Sequence, residues 1–191
     1  MIQKYYIFFL LLSCINTTLK ICLAINVNIP NDKFNTTNIN ELINYYGEKY
    51  NIINIYITED YVPSSKMKLQ QIMIPENTNV TLIGNPKNNK GTIFDFTNDG
   101  SEFCNFPIIF NVYTGQQFKV ENITFLNFIT SNQMKIESLF YTPNFDINYQ
   151  MVFKNCSFIN SDSPFLYLDV QGSINKNSDK YQILIDSCHF E

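Results

Sequence analysis

Arginine and tryptophan are absent from this 191-residue chain, and histidine occurs once, at His189. All 13 basic residues are therefore lysines, which are scattered singly, and the net charge is −4. Nucleic-acid binding requires a concentrated basic face, so we expect no nucleic-acid partner. We also expect no metal or other cofactor, because His189 and its neighbour Cys188 point to opposite faces of a strand and no further ligands cluster near them.

Long apolar runs are confined to the N-terminus. Residues 1–24 contain Lys4, the apolar stretch Tyr5–Leu12 and a final Cys22-Leu23-Ala24, with small residues at positions −3 and −1 of a cleavage point. This arrangement is typical of a secretory signal peptide, and the stretch is shorter than the about 20 residues that a membrane span needs. We predict cleavage after Ala24, a secreted or extracellular-surface location, and no membrane span in the mature chain; the alternative is an uncleaved anchor.

Sequons for N-glycosylation agree with secretion. In the predicted mature chain, the Asn-X-Ser/Thr pattern occurs at Asn35, Asn79, Asn122 and Asn155, which are therefore candidate glycan sites. Asn122 and Asn155 also fall at bends of a sequence repeat, where a stacked asparagine ladder would leave little room for a glycan. Asn35 is accordingly the favoured site and the bend pair the least favoured.

Cysteines are few once the signal peptide is removed. Cys104, Cys156 and Cys188 remain, an odd number for a secreted chain. Cys156 and Cys188 hold equivalent places in successive repeats and are predicted on strands about 4.8 Å apart, within disulfide reach at the Cα atoms. Their side chains would point the same way, which suits a bridge poorly. The sequence favours a buried thiol ladder and leaves a disulfide open.

A short pattern recurs three times toward the C-terminus, at Phe118–Asn127, Met151–Asn160 and Ile183–Glu191. In each copy, apolar residues alternate with polar ones on both sides of a bend, which indicates strand, corner, strand. The bends repeat every 32–33 residues, a period typical of architectures in which stacked units share one core.

The bend positions favour residues that accept a left-handed backbone, with φ above zero. We predict four equivalent corners, at Gly84, Asn122, Asn155 and Ser187. One consequence is an inward column of stacked rings, formed by Phe125, Phe158 and Phe190.

Three short strands per repeat define a three-sided prism. We therefore predict an all-β, right-handed parallel β-helix of about three coils plus a truncated fourth, with a short N-terminal capping helix at Thr37–Lys49. The main rival is an antiparallel β-sandwich, which explains the alternation but not the recurring bend. The predicted divisions are a signal peptide at 1–24, a lead-in at 25–36, the capping helix and first strands at 37–78, and coils at 79–191 that end incompletely.

Two stretches resemble the pectin-lyase-like right-handed β-helix superfamily, in particular secreted or surface repeat proteins of unicellular eukaryotes. They are Ile39–Val62, similar to the helix and strand that open many such proteins, and the run NVTLIGNPKNNKGTIFDF with its successors ENITFLNF and KNCSFINS. The resemblance covers roughly residues 36–191. Superfamily members that cleave uronate polymers use a basic residue with calcium-binding carboxylates, or clustered aspartates. This chain lacks arginine, and it lacks the Asp-Asp, Gly-His-Gly and Arg-x-Lys elements of the superfamily's hydrolases.

Carboxylates on the predicted strands do not assemble a catalytic pair. Asp95, Glu121, Asp169 and Asp186 are spread over different faces, whereas glycosidic acid–base chemistry holds two carboxyl groups about 5–10 Å apart. Glu121 and Asp186 share one outward register with Lys154, which we interpret as a solvated charge row with ion pairs between coils. We expect no catalytic residues.

Three tyrosines could line a sugar-binding flank, because tyrosine offers an apolar ring and a hydroxyl. They are Tyr113, Tyr141 and Tyr167. The simpler interpretation is partial burial against loops.

The function predicted from these features is a non-catalytic, secreted or cell-surface module that binds carbohydrate or another surface protein, with a role in adhesion or in a matrix. Two alternatives remain: the N-terminal part of a polysaccharide lyase or hydrolase with catalytic residues beyond position 191, and a gene-model fragment without independent function. An uncapped final coil would present unpaired strand edges, so we also expect self-association through the C-terminal edge.

Overall fold

The structure is a computed structural model in which only part of the chain is described. The described residues are 22–61, 72–75, 77–85, 87–88, 91–97, 108–109, 116–128, 138–144, 149–162, 164–170 and 182–191, with backbone alone at 108–109, 141–144 and 169–170. Nearly all of the predicted signal peptide, together with Cys104 and Tyr113, lies outside these residues.

The largest element is a six-stranded sheet whose strands follow the order β1-β2-β3-β6-β9-β12. Every neighbouring pair in it is parallel and in register. Its strands are β1 (Ala24–Ile29), β2 (Ile52–Ile57), β3 (Asn79–Gly84), β6 (Gln117–Glu121), β9 (Gln150–Lys154) and β12 (Ile183–Asp186). Inward and outward residues alternate along β2 and β3, as a sheet with one buried face requires.

Two smaller parallel sheets close the other sides of the prism. The four-stranded sheet contains β4 (Thr92–Asp95), β7 (Ile123–Leu126), β10 (Ser157–Ile159) and β13 (His189–Phe190). The three-stranded sheet contains β5 (Ile108–Ile109), β8 (Phe140–Asn144) and β11 (Leu166–Val170). Each coil therefore contributes one strand to each sheet, which confirms the predicted parallel β-helix and rules out the antiparallel sandwich.

The coils also agree in number with the prediction. Three full coils run from β3 to β11, and β12 and β13 begin a fourth. Successive strands within each sheet pair without a register shift, so equivalent repeat positions stack directly, as in the column Phe94, Phe125, Phe158 and Phe190.

The N-terminal end contains a strand that the sequence analysis did not predict. β1 lies within the segment described as a lead-in, precedes the helix and pairs with β2. Ala24, the predicted last residue of the signal peptide, is the first residue of β1, and the Leu23 carbonyl accepts hydrogen bonds from the backbone N–H groups of Asn51 and Ile52. Cleavage after Ala24, which remains a prediction, would remove both of these bonds.

The predicted helix is present between β1 and β2 rather than ahead of the first strand. A 3-10 turn at Thr36–Asn38 leads into α1 (Ile39–Gly47). Asn35 begins the turn by accepting the Thr37 N–H at 2.9 Å, while the Asn38 side chain accepts the Asn35 N–H at 2.7 Å, a reciprocal cap.

The helix covers the core at this end of the solenoid. Ile29 lies on the outermost strand of its sheet, yet it is fully buried. The apolar face of α1, formed by Ile39, Leu42 and Ile43, belongs to the same core cluster. A terminal coil can bury its inward residues only where another element lies over it, so α1 acts as the predicted cap.

The core of the coils is a column of phenylalanine rings, as predicted. Phe125 and Phe158 stack with their centroids 5.3 Å apart, and Phe158 and Phe190 stack at 5.0 Å, both pairs with an interplanar angle of 11°. Phe94 meets Phe125 edge to face at 5.6 Å. In-register parallel pairing places identical side chains above one another, so the column follows directly from the repeat.

Candidate functional site

The outward surface of the six-stranded sheet, which we call face A, is the broadest regular surface of the described chain. Adjacent strands lie about 4.8 Å apart, so its outward side chains form rows across the coils. The first row contains Asn79, Gln117 and Gln150, and the second contains Asn26, Asn54, Thr81, Lys119, Val152 and Leu184. The third row contains Asn28, Tyr56, Ile83, Glu121, Lys154 and Asp186.

Side-chain amides on face A form hydrogen bonds across coils. The backbone N–H of Gln117 donates to Asn79 Oδ1 at 2.8 Å, and the side chain of Gln117 donates through Nε2 to Gln150 Oε1. Asn54 Nδ2 donates to Asn26 Oδ1 at 2.8 Å. Within the described part of the chain, Asn79 Nδ2 and Gln150 Nε2 keep no partner, so the amide row retains unused donors.

The predicted charge row is present, but the expected ion pairs between coils are not. Glu121, Lys154 and Asp186 are in register, as anticipated. Glu121 pairs instead with Lys119, two residues earlier on its own strand. Among the described residues, Lys154 makes no ion pair with either carboxylate, because the flexible lysine side chain is exposed to solvent.

The four predicted carboxylates are distributed over the three sheets. Asp95 is on the four-stranded sheet, Asp169 is on the three-stranded sheet, and Glu121 and Asp186 are two strands apart on face A. Two parallel strand spacings amount to about 9.6 Å, and Lys154 lies between the two carboxylates. Glu121 and Asp186 therefore lie at the outer limit of the range of about 5–10 Å for a catalytic pair, with Lys154 between them. Asp95 and Asp169 lie on other sheets.

A polar ladder along the second corner was not predicted. Asn127 and Asn160 both have left-handed backbones, with φ of 59° and 51°. Asn160 Nδ2 donates to Asn127 Oδ1 at 2.6 Å, and Asn127 Nδ2 donates to Asp95 Oδ1 at 2.8 Å. The recurring Phe-Leu-Asn and Phe-Ile-Asn triplets at 125–127 and 158–160 are the sequence pattern from which this ladder could have been inferred.

The ladder also sets the protonation of its one acid. Partial burial by itself would raise the pKa of Asp95, but hydrogen bonds from Thr97 and Asn127 lower that pKa below its ordinary value. The carboxylate is therefore kept ionised as an acceptor, which is a structural role rather than that of a general acid.

The predicted first corner is confirmed at three of its four positions. Asn122, Asn155 and Ser187 have φ of 55°, 52° and 55°. Gly84 lies at this corner in the preceding coil, but the left-handed residue there is Gly91, with φ of 67°, so the expectation of a positive φ at Gly84 is wrong. The physical reason is the insertion at 85–90, because of which the left-handed residue is Gly91, directly before β4.

Both glycines are required for a second reason, the close approach of backbone. A Cβ atom added at either Gly84 or Gly91 would lie 1.9 Å from the carbonyl oxygen of Asn122. That oxygen accepts the Thr92 N–H at 3.1 Å, so it cannot move away without breaking the corner. Stacked corners of adjacent coils thus need glycine where two chain segments meet.

The two repeat cysteines stack at the first corner as free thiols. Cys156 is buried, and its Sγ lies 3.4 Å from the Lys154 carbonyl and 3.5 Å from the Val120 carbonyl. Cys188 is half-buried and donates to the Asp186 carbonyl at 3.5 Å. Burial, with a further contribution from Cys188, raises the pKa of the Cys156 thiol to about 12.

We expect the two thiols to differ sharply in reactivity. At pH 8 the Cys156 thiol is almost entirely protonated, because its pKa of about 12 is raised by burial, and thiolates are the reacting species. Iodoacetamide should therefore label Cys188 in the folded chain and leave Cys156 unlabelled. Peptide mapping by mass spectrometry checks this, and equal labelling in 8 M urea is the control. Rapid labelling of native Cys156 would contradict the buried-thiol assignment.

His189 and Cys188 do not form a site together. His189 Nε2 lies 3.4 Å from a Glu191 carboxylate oxygen on the surface, whereas Cys188 packs against the core, so the two side chains point apart as predicted. Tyr141 and Tyr167 are register neighbours in the three-stranded sheet, and Tyr167 is exposed.

No group of three potential metal ligands occurs among the residues that the structure covers. None of the described helices is long and apolar enough to cross a bilayer.

Comparisons with known proteins find no matching family model, no matching curated protein and no matching solved structure.

Proposed function

We propose that this chain is a non-catalytic, secreted or cell-surface module that binds carbohydrate through face A, in adhesion or in a matrix; a surface protein is the other ligand class that such a face suits. The observation that carries the proposal is the amide row of Asn79, Gln117 and Gln150. Each primary amide combines two donors with an acceptor, a set complementary to hydroxyl groups, which also donate and accept.

Two further features of face A suit a sugar polymer. Tyr56 lies on the third row, half-buried, and supplies an aromatic surface with a hydroxyl beside the amides. The amide row crosses three adjacent strands at a constant spacing, so equivalent polar groups recur along a line. A ligand that itself repeats can bond to several rungs at once.

The partners of two of the carboxylates support a non-catalytic role. Asp95 is committed to the ladder, and Glu121 is paired with Lys119. The pectin-lyase-like resemblance is part of the same proposal, and it rests on the coil layout and on α1 between the first two strands of the six-stranded sheet.

Binding to intact eukaryotic and bacterial cells tests the proposal. The double variant Gln117→Ala/Gln150→Ala should bind about 30-fold more weakly, because it removes two hydrogen-bonding groups worth about 1 kcal/mol each. Lys87→Ala, at an exposed site in the loop after β3, is the control and should bind like the wild type. Enzymatic removal of cell-surface carbohydrate should abolish binding, whereas loss after protease treatment alone would assign a protein ligand.

Two results would contradict the proposal. Equal binding by the double variant and the wild type would exclude face A. Release of reducing ends from pectate, polygalacturonate or alginate, abolished by Asp95→Asn or Asp186→Asn, would show that the chain is an enzyme.

Self-association is a second proposal, favoured by the contrast between the two ends of the solenoid. Ile29 on β1 is fully buried, whereas Ile185 and Phe190 on the last coil are 44% and 49% exposed. The strands β11, β12 and β13 are also the edge strands of their sheets. The opposite end carries α1, which packs against β2, so we propose that two copies join through their C-terminal edges about a two-fold axis.

A further inference from the structure

We propose that Asn155 is an N-glycan acceptor, and that Asn155 and Asn122 carry a glycan alternatively rather than together. This inference concerns a modification site outside face A. It shares with the proposed function one premise, that the chain enters the secretory pathway.

Asn155 presents a free amide at the surface. Its backbone N–H bonds to the Asp186 carbonyl at 3.0 Å, which holds the corner in place. The residue is exposed, and its side-chain amide has no hydrogen-bond partner within the described residues. An oligosaccharide attached at Nδ2 would therefore break no native contact.

The fold separates structural asparagines from sequon asparagines. Asn127 and Asn160 bond through their side chains in the ladder, and neither begins a sequon. Asn122 and Asn155 begin sequons, and neither joins a side-chain ladder. The sequence-based preference against Asn122 and Asn155 assumed a ladder at their corner, but the structure has that ladder at the other corner.

The two remaining sequon asparagines have less accessible side chains. Asn35 is half-buried, and its Oδ1 accepts from the Thr37 N–H at 2.9 Å and from the Thr37 hydroxyl at 2.6 Å. Asn79 is half-buried within face A and accepts from Gln117. Among the sequon asparagines that the structure describes, Asn155 alone is exposed with a side-chain amide that has no hydrogen-bond partner.

Stacking makes the two corner sites compete. The Asn122 N–H bonds to the Lys154 carbonyl at 3.0 Å, so Asn122 and Asn155 occupy equivalent places in adjacent coils, about 4.8 Å apart. Two branched oligosaccharides starting one strand spacing apart would overlap. Asn155 is favoured because it is the more exposed, and because its other neighbour at the corner is the small Ser187.

Glycopeptide mapping of the full chain, expressed in eukaryotic cells, tests this inference. We expect a glycan at Asn155 in most molecules and no molecule modified at both corner sites. In the Asn155→Gln variant, occupancy of Asn122 should rise at least several-fold, because the competing glycan is gone. Asn122→Gln is the matched control and should leave Asn155 occupancy high. Both variants place glutamine at a left-handed corner, with φ of 55° and 52°, so we expect a similar, small lowering of the thermal unfolding midpoint in each.

Three outcomes would overturn the inference. A secreted chain with a glycan at Asn35 and none at Asn155 would refute it while leaving secretion intact. Molecules modified at both Asn122 and Asn155 would refute the competition. A chain that stays in the cytosol without any glycan would refute this inference and the secretory part of the proposed function together.

Discussion

Replacing Phe125 with alanine should lower the free energy of unfolding by about 3–5 kcal/mol, the range for removing a buried aromatic side chain. Phe125 lies within the ring column and contacts the rings of Phe94, Phe158 and Phe140, all within 5.6 Å between centroids. The cavity would remove packing contacts between adjacent coils, and each coil of a solenoid is stabilised by its contacts with its neighbours. For a chain of this length, the midpoint of thermal unfolding should fall by about 10 °C.

Phe190→Ala is the matched control, because Phe190 belongs to the same column but is 49% exposed at its end. Only about half of its surface leaves water, so the loss should be about 1 kcal/mol. Both variants are to be measured by chemical denaturation at low protein concentration, where association does not contribute. Equal losses for the two variants would show that the column does not carry the stability of the coils.

Changing Ile185 to lysine should prevent the proposed self-association. Ile185 is 44% exposed on the inward side of β12, where the proposed two-fold contact would bury it. A lysine buried there without a partner costs several kcal/mol, which corresponds to a loss of association of a thousandfold or more. Light scattering across a concentration series measures this, with the wild type expected to approach twice the monomer mass.

Leu184→Lys is the control for this experiment. Leu184 precedes Ile185 on the same strand, is 37% exposed and lies on face A, so the same substitution there is exposed to solvent in the proposed dimer. It should leave the mass unchanged. A wild-type chain that stays monomeric at every concentration, or a Leu184→Lys variant as disruptive as Ile185→Lys, would exclude the proposed contact.

The local sequence pattern was sufficient to predict the architecture of the coils. Apolar alternation around Asn122 and Asn155 predicted the strands and their left-handed corners, because φ above zero restricts the choice of residue type. The Phe125–Phe158–Phe190 column followed from the repeat, since parallel in-register strands stack equivalent positions.

The prediction missed β1 because its sequence fitted two interpretations. Ile25, Val27 and Ile29 alternate with polar residues and could have been recognised as a strand, but Ala24 was assigned to the signal peptide and the following residues to a lead-in. The sequence was also insufficient to assign the roles of Gly84 and Gly91. An insertion moves the left-handed residue along the chain, and only the distance to the Asn122 carbonyl reveals why both positions are glycine.

The sequence by itself determined the repeat, the core column and the class of fold, because these depend on which residues are apolar and at what period. Only the tertiary structure decided which asparagines bond to each other and which remain free, and that Glu121 pairs along its strand. These properties depend on distances between coils. Residues about 30 positions apart meet there, and no local pattern records how their side chains divide the available hydrogen bonds.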